Sequence, residues 1–598
     1  MSRTIRWFAL LFVMCFALMV YFEMGRRTTE QGDAEAVKLL RKAAEQGDAN
    51  AQFSLGVSYA EGQGVTKDDA EAVRWFRKAA EQGNMIAQFN LGASYTGGQG
   101  VTKDGAEAVK WFRKAAEQGD AKAQNNLGAI YAEGQGVAQN DAEAVKWFRK
   151  AAEQGDKYAQ LSLGGMYAAG QGVAKDDAEA VRWYRKAAEQ GNTSAQLSLG
   201  WMYVEGRGVV KDDAKAVKWF RKAAEQGDAD AQESLGEMYA EGRGVAKDDS
   251  EAVKWYKKAA RGFQKKAKQG DVFAQLSLGL MHAEGRGVSQ DDAEAVKWFR
   301  KAAEQEYALA QERLGVMYAE GKGVAKNDAE AVKWFRKAAE QGDVFAQANL
   351  GWMYANGRGV TQDDVEAVKW YKKAVEGFQK EAEQGDAFAQ LNLGLMYVEG
   401  RGVTQDDAEA VKWLRKAAEQ DDAHAQYELG EMYTKGRGVV KDDAEAVRWH
   451  RKAAEQDDAY GQYKLGQKYA NGQGVAKNDA EAVKWYKKAA EGLRKEAEKR
   501  DAHAQYNLGE MYAEGRGVAK NHAEAVKWYK NAADRFQKEA EQGDAFAQNK
   551  LGEMYAKGRG VAKDDAEAVK WFRKAAEQGN KDAQEALEAM KNQTLAKQ

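Results

Sequence analysis

One phrase dominates the chain. Residues 60–84 read AEGQGVTKDDAEAVRWFRKAAEQGN, and close copies begin at Ala132, Ala240 and Ala513. A Leu-Gly pair marks each of fourteen copies, from Leu55 to Leu551. Most spacings between these leucines are 36 residues, and the four ending at Leu278, Leu393, Leu508 and Leu551 are 43. A chain of this kind grows by adding units that bury their apolar faces only against neighbours. It leaves little room for a unique catalytic centre.

Each unit reads as two helices. In DANAQFSLGVSYAEG, Ala51, Leu55, Ser58 and Tyr59 fall at i, i+4, i+7 and i+8, a single helical stripe. Asp48 stands ready as its N-cap. Gly56 sits inside that stripe, where glycine costs about 1 kcal/mol against alanine. Its recurrence predicts close approach of a neighbouring helix. In the connector EGQGV, Gly62 ends the helix at positive φ. Asp68, with Glu71 three residues on, has the pattern of a capping box. Ala72, Trp75, Phe76 and Ala79 form the second buried stripe, while Glu71, Arg74, Lys78 and Glu81 face water with mixed charge. A hairpin of this kind cannot bury its stripe alone. The expected fold is all-α: an α/α superhelical solenoid of about 14 helical hairpins over residues 28–590, between an N-terminal segment 1–27 and a polar tail 591–598.

The stretch AQFSLGVSYAEGQGVTKDDAEAVRWFRKAAEQG resembles the Sel-one-like repeat, a relative of the tetratricopeptide repeat, and the likeness runs over roughly residues 33–590. The resemblance implies a non-enzymatic adaptor or scaffold for membrane or exported protein complexes, holding protein or peptide partners. The family's loop is G-x-G-V-P, but here Thr66, Ala246, Ser289 or Val440 stands where the proline would be. One branch of the family, with cysteine pairs bridging each hairpin, is linked to β-lactam binding. That property does not carry over, because Cys15 is the sole cysteine.

Other chemistry finds little support. The formal net charge is −2, without the basic excess of a nucleic-acid binder. GQGVTKDD follows a helix and matches neither phosphate-binding glycine pattern. Asp68 and Asp69 lack a calcium loop's alternating acidic ladder. His282, His424, His450, His503 and His522 are dispersed, so no metal is expected. No catalytic set is visible, and neither enzymatic activity nor a cofactor is expected. The basic stretch 257–268 reads as a solvated face.

In residues 1–27, Arg3 and Arg6 precede an apolar run at 7–22, and Arg26 and Arg27 follow it. This order predicts a signal anchor in the membrane, with the repeats exported, on the periplasmic side if the cell is bacterial. A cleaved signal leaving a secreted or periplasmic body is the alternative, and an unrelated buried helix a further one.

Two features distinguish units from one another. Four units carry seven extra residues in the second helix, close to two turns, which predicts a longer continuous helix. Three of them contain Gly262, Gly377 or Gly492. The extra turns read either as neutral copying or as knobs that dock a partner or a second copy. The residues two before and two after each motif leucine also vary. They lie about 200° from the buried stripe, on the free face of the first helix, which the resemblance places on a concave groove. Fourteen of seventeen tryptophans hold the second-helix core position and Trp7 lies in the N-terminal run, which leaves Trp201 and Trp352 out of pattern. The expected partner-binding residues are Phe53, Phe89, Leu161, Trp201, Leu280, Trp352, Leu395, Tyr427, Tyr463, Tyr506 and Glu510. Protein or peptide partners suit this row best. Cell-wall saccharide binding, enzyme inhibition and a soluble regulatory adaptor are the alternatives.

Overall fold

The computed structural model describes residues 30–498, 501–541 and 543–597. The run 7–22, with its expected membrane role, lies outside them. Thirty helices and no strand occur among the described residues. They form repeating helical hairpins in two compact units, one of residues up to 266 with 285–289, the other of 267–284 with 290–598.

The hairpin of helices Ala49–Glu61 and Asp69–Glu81 illustrates the construction. Asp48 Oδ1 accepts from the Ala51 N–H at 2.7 Å, and Gly62, at φ 74°, donates its N–H to the Ser58 carbonyl. Asp68 caps the second helix, accepting from the N–H groups of Ala70 and Glu71 at 2.9 and 3.0 Å. Only this half of the expected capping box forms. The Asp68 N–H donates instead to the Tyr59 carbonyl at 3.0 Å, and Glu71 pairs with Arg74 at 2.9 Å. The cap's own donor is satisfied by backbone, so the glutamate is released to the surface.

The repeated glycine is explained inside the hairpin. A Cβ on Gly56 would lie 2.6 Å from Cδ1 of Phe76, and Gly92 meets Phe112 in the same way. The expected close approach is there, and the neighbour is the second helix of the same hairpin. Stacking between hairpins rests on the other loop glycine. Gly100, at φ 68°, has no room for a side chain because it lies on the Asp69 carbonyl of the preceding hairpin.

A buried glutamine ladder ties successive hairpins together. Gln426, fully buried, donates through Nε2 to the Ala418 carbonyl at 3.0 Å and accepts from Gln456 Nε2 at 2.8 Å. Gln88 makes the same pair of bonds with Ala80 and Gln118. Each buried amide thus caps the end of one second helix and anchors the end of the next.

The long second helices, Asp249–Lys268, Asp364–Glu383, Asp479–Glu498 and His522–Glu541, are continuous over 20 residues, as the two-turn insertion predicts. The stacking glycine after each of them rests on Tyr256, Tyr371, Tyr486 or Tyr529, seven residues further along than the Asp69-type contact. The next loop is therefore displaced by two turns, and the first two turns of the long helix overhang as a ledge. Val253, Val368 and Val483 are 44, 45 and 46% exposed there, whereas the equivalent Val73 is 4% exposed. The ladder breaks at the same place. The residue thirty beyond Gln347 is Gly377, where any side chain would collide with Val344, and Gln347 Oε1 is left without a hydrogen bond.

These two glutamines should differ in stability. Gln426→Met removes two buried hydrogen bonds and should cost about 1–3 kcal/mol. Gln347→Met loses one bond but also removes an orphaned acceptor, so its cost should be clearly smaller. Urea unfolding of the two variants checks this, and equal losses would remove the ladder from the account.

Candidate functional site

The positions flanking the motif leucine do not share one environment. Trp201 is 38% exposed, with its ring edge-on to Phe220 at 5.4 Å between centroids. Trp352 is half-buried: it packs against the core of its own hairpin, on helix Asp364–Glu383, and against that of the preceding hairpin, on helix Asp328–Glu340, and the Arg358 guanidinium lies 4.8 Å from its ring centroid. Phe53 and Phe89 are half-buried against Phe76 and Phe112, at 5.9 and 5.6 Å. Leu161, Leu280 and Leu395 are half-buried as well.

The expectation of a uniformly free face is corrected at the tyrosines. Tyr463 and Tyr506 are only 2 and 7% exposed. The position two before the leucine leans onto the ring of the second helix, so Tyr463 packs on Tyr486 at 5.7 Å and Tyr506 on Tyr529 at 5.5 Å. Tyr427 sits between His450 and Tyr460, at 6.0 and 5.9 Å. Glu510 is not free either. It accepts a 2.8 Å hydrogen bond from the Tyr463 hydroxyl and is held by Arg559, which also bonds Tyr506. Burial, reinforced by the Glu510 charge, raises the Tyr463 phenol well above its ordinary range. Burial likewise pushes Tyr486 and Tyr529 up to about 12. These residues clasp neighbouring hairpins.

Two carboxylates on the rows behave oppositely. Burial alone would raise Glu431, but Lys464, at 2.8 Å, and His450, at 3.4 Å, overturn that and hold it far below the usual carboxylate range. Glu312, 4% exposed, has weaker support: Asn349 donates to it at 3.3 Å and Arg313 lies 3.5 Å away. Burial pushes its carboxyl from the ordinary 4.5 up to about 7, against the pull of Arg313 and with Asp343 and Glu320 adding repulsion.

A second row went unread in the sequence. Five residues before the motif leucine stand Phe273, Phe345, Phe388, His424, Tyr460, His503 and Phe546, all in the second unit. Phe273 and Phe388 are both 56% exposed and Phe546 is 43% exposed. Rings of successive hairpins meet, Phe345 with Phe388 at 5.4 Å and His503 with Phe546 at 4.6 Å. In the first unit the same position holds mostly small or polar residues, among them Asn50, Lys122, Ser194 and Asp230. The contrast between the units at this offset is the sequence signal that marks the row. Among the described residues, no group of three or more His, Cys, Asp or Glu is placed to hold a metal ion, and no helix is long and apolar enough to cross a membrane.

The family model described as Sel1 repeat matches fifteen segments, from residues 15–48 to 545–580. The first begins inside the N-terminal segment 1–27. No curated protein matches the chain. Among solved structures, it is similar to c5321, a protective antigen present in uropathogenic Escherichia coli strains, at 39% identity over 79% of this chain and 96% of that one, with a TM-score of 0.41. A Sel1 repeat protein from Oxalobacter formigenes is 39% identical over 52% of this chain and 88% of that one, with a TM-score of 0.39. Cysteine rich protein B of Helicobacter pylori is 31% identical over 21% of this chain and 89% of that one, with a TM-score of 0.18.

The two out-of-pattern tryptophans should separate on truncation. Trp201→Ala removes a ring 38% exposed together with its edge contact to Phe220, and should cost about 1–2 kcal/mol. Trp352→Ala opens two cores and should cost about 2–4 kcal/mol. Thermal unfolding decides, and a larger loss at Trp201 would make it a core residue. Glu312 makes a separate prediction. Its folded-state affinity for a proton is raised, so the folded chain holds more protons between pH 4.5 and about 7 and loses stability as pH rises through that window. The loss relative to Glu312→Gln should reach roughly 3 kcal/mol by the top of the window. Parallel stability–pH curves for the two proteins would refute it.

Proposed function

The chain belongs to the Sel1 repeat family, and we propose that it works as a scaffold that holds protein or peptide partners against the first helices of its hairpins, tethered to a membrane by residues 1–27 with the repeats exported. Sel1 repeat proteins serve as protein–protein interaction scaffolds. The observation that carries the finer reading is the set of large apolar side chains left open on first helices: Trp201 in one unit, and Phe273, Phe388 and Phe546 in the other. Aromatic side chains of this kind are the usual anchors of protein interfaces, and a soluble surface does not retain a row of them without a use. The tether rests on the arginine-flanked run 7–22.

Membranes from cells expressing the full chain, treated with a protein crosslinker, test both parts. The chain should pellet with membranes, and its crosslinked species should weaken in Trp201→Ala and in Phe388→Ala. A chain found only in the soluble fraction removes the tether. Capture of peptidoglycan fragments in place of protein, or crosslinking indifferent to both substitutions, removes the scaffold reading of these residues.

A further inference from the structure

The overhanging helix Asp249–Lys268 differs from its three sisters in charge. It carries seven Lys or Arg against two Asp or Glu. The sister helix Asp364–Glu383 carries four against five, Asp479–Glu498 five against five, and His522–Glu541 four against four. Three positions make the difference. Arg261, Lys266 and Lys268 stand where the sisters have Glu376, Glu491 and Asp534; Glu381, Glu496 and Glu539; and Glu383, Glu498 and Glu541. All four helices are continuous and of equal length, so the reversal is not required by the fold.

Of the three, Arg261 lines a hollow that runs on from the ledge; Lys266, 3.9 Å from Asp230, and Lys268 stand beyond it. Ser250, Val253, Lys254, Lys257, Lys258 and Arg261 line an open hollow of about 540 Å³. Val253 supplies an apolar floor, 44% exposed. Lys254 is shared with Glu251 at 2.8 Å, and Lys258 lies 3.9 Å from the Trp255 ring centroid. Lys257 and Arg261 form no ion pair among the described residues. At i, i+3 and i+7, Lys254, Lys257 and Arg261 share one side of the helix, their stems about 5 Å apart along its axis. Like charges held this close repel, and an anion in the hollow relieves them.

We propose that this ledge docks an acidic segment of a partner polypeptide. The argument is charge complementarity combined with form. An extended chain presents side chains to one side about every 7 Å, a spacing that flexible lysine and arginine heads can meet, and an apolar residue between the acids can cover Val253. Asp248, Asp249 and Glu251 border the hollow's N-terminal end and repel a uniform polyanion such as nucleic acid. The surface lies on a second helix, apart from the first-helix rows of the scaffold reading, and its failure leaves that reading untouched.

The test uses the full chain and a fluorescent glutamate-rich peptide with interspersed valine, read by anisotropy at low salt. A lysine counterpart of the peptide and phosphatidylserine vesicles are the comparison probes. The variant Arg261→Glu/Lys266→Glu/Lys268→Glu gives the helix the charges its sisters already fold with. It should bind the acidic peptide about tenfold more weakly, and salt should weaken binding to the parent chain. The mirror variant Glu376→Arg/Glu381→Lys/Glu383→Lys should add a second site of similar strength. Equal binding by the parent and the first variant overturns the proposal. So does equal binding of the acidic and lysine peptides, or binding of vesicles without the acidic peptide.

Discussion

Everything in this fold depends on how closely the two helices of a hairpin approach. The glycine after each motif leucine lets a ring of the second helix lie directly on the backbone of the first; a methyl group there would be 2.6 Å from the Phe76 ring. That contact fixes the separation of the helices. It also leaves the leucine itself fully buried, as at Leu55, Leu91 and Leu127. Where phenylalanine gives way to Leu414 or His450, the substitute still lies on the glycine. The position demands bulk and tolerates some variation in chemistry. With helix separation set, the loop glycines and the glutamine ladder set the step from one hairpin to the next. These links are backbone contacts and buried amide hydrogen bonds, so they tolerate wide variation on the surface.

The seven-residue insertions alter that step. A longer helix has two possible docking places for the next loop, and the glycine contacts at Tyr256, Tyr371, Tyr486 and Tyr529 select the later one. The loop arginine changes partner accordingly. Arg207 pairs with Asp177 at 2.7 Å after a short helix, whereas Arg401 lies over the Tyr371 ring at 5.9 Å after a long one. A stack that gives up a ladder bond at its long units, and exposes a valine at three of the four, gains a ledge, and ledges are where a regular solenoid acquires local identity.

The second unit is also closed by charge. Lys435 reaches Asp582 at 2.7 Å, and Lys581 reaches Asp407 at 2.6 Å, so the terminal helix is joined to two successive hairpins more than a hundred residues earlier. Asp407 is shared with Arg437 at 2.7 Å, and burial of its carboxylate is outweighed by the two cations, which hold it below the ordinary range. Contacts this distant in sequence carry no signature in the repeat phrase, because each residue involved also has an ordinary surface role in other units.

Much of the architecture was legible from one dimension. The 36-residue period, the two stripes, the caps at Asp48 and Asp68, the tight glycine at Gly56 and the continuity of the long helices all arise from local spacing. Helical periodicity gives each residue's angle around its own helix, and caps and φ requirements are settled within a few residues. What the angle cannot give is what lies opposite. Tyr463 and Trp201 occupy comparable free-face positions, yet one is 2% and the other 38% exposed. The difference comes from the facing second helix, the residues two hairpins on, and the Glu510–Arg559 clasp. Sequence alone therefore determined the unit and its repetition. Tertiary structure decided which variable residues are sealed and where the next hairpin docks, because both depend on separations between helices that no single helix encodes.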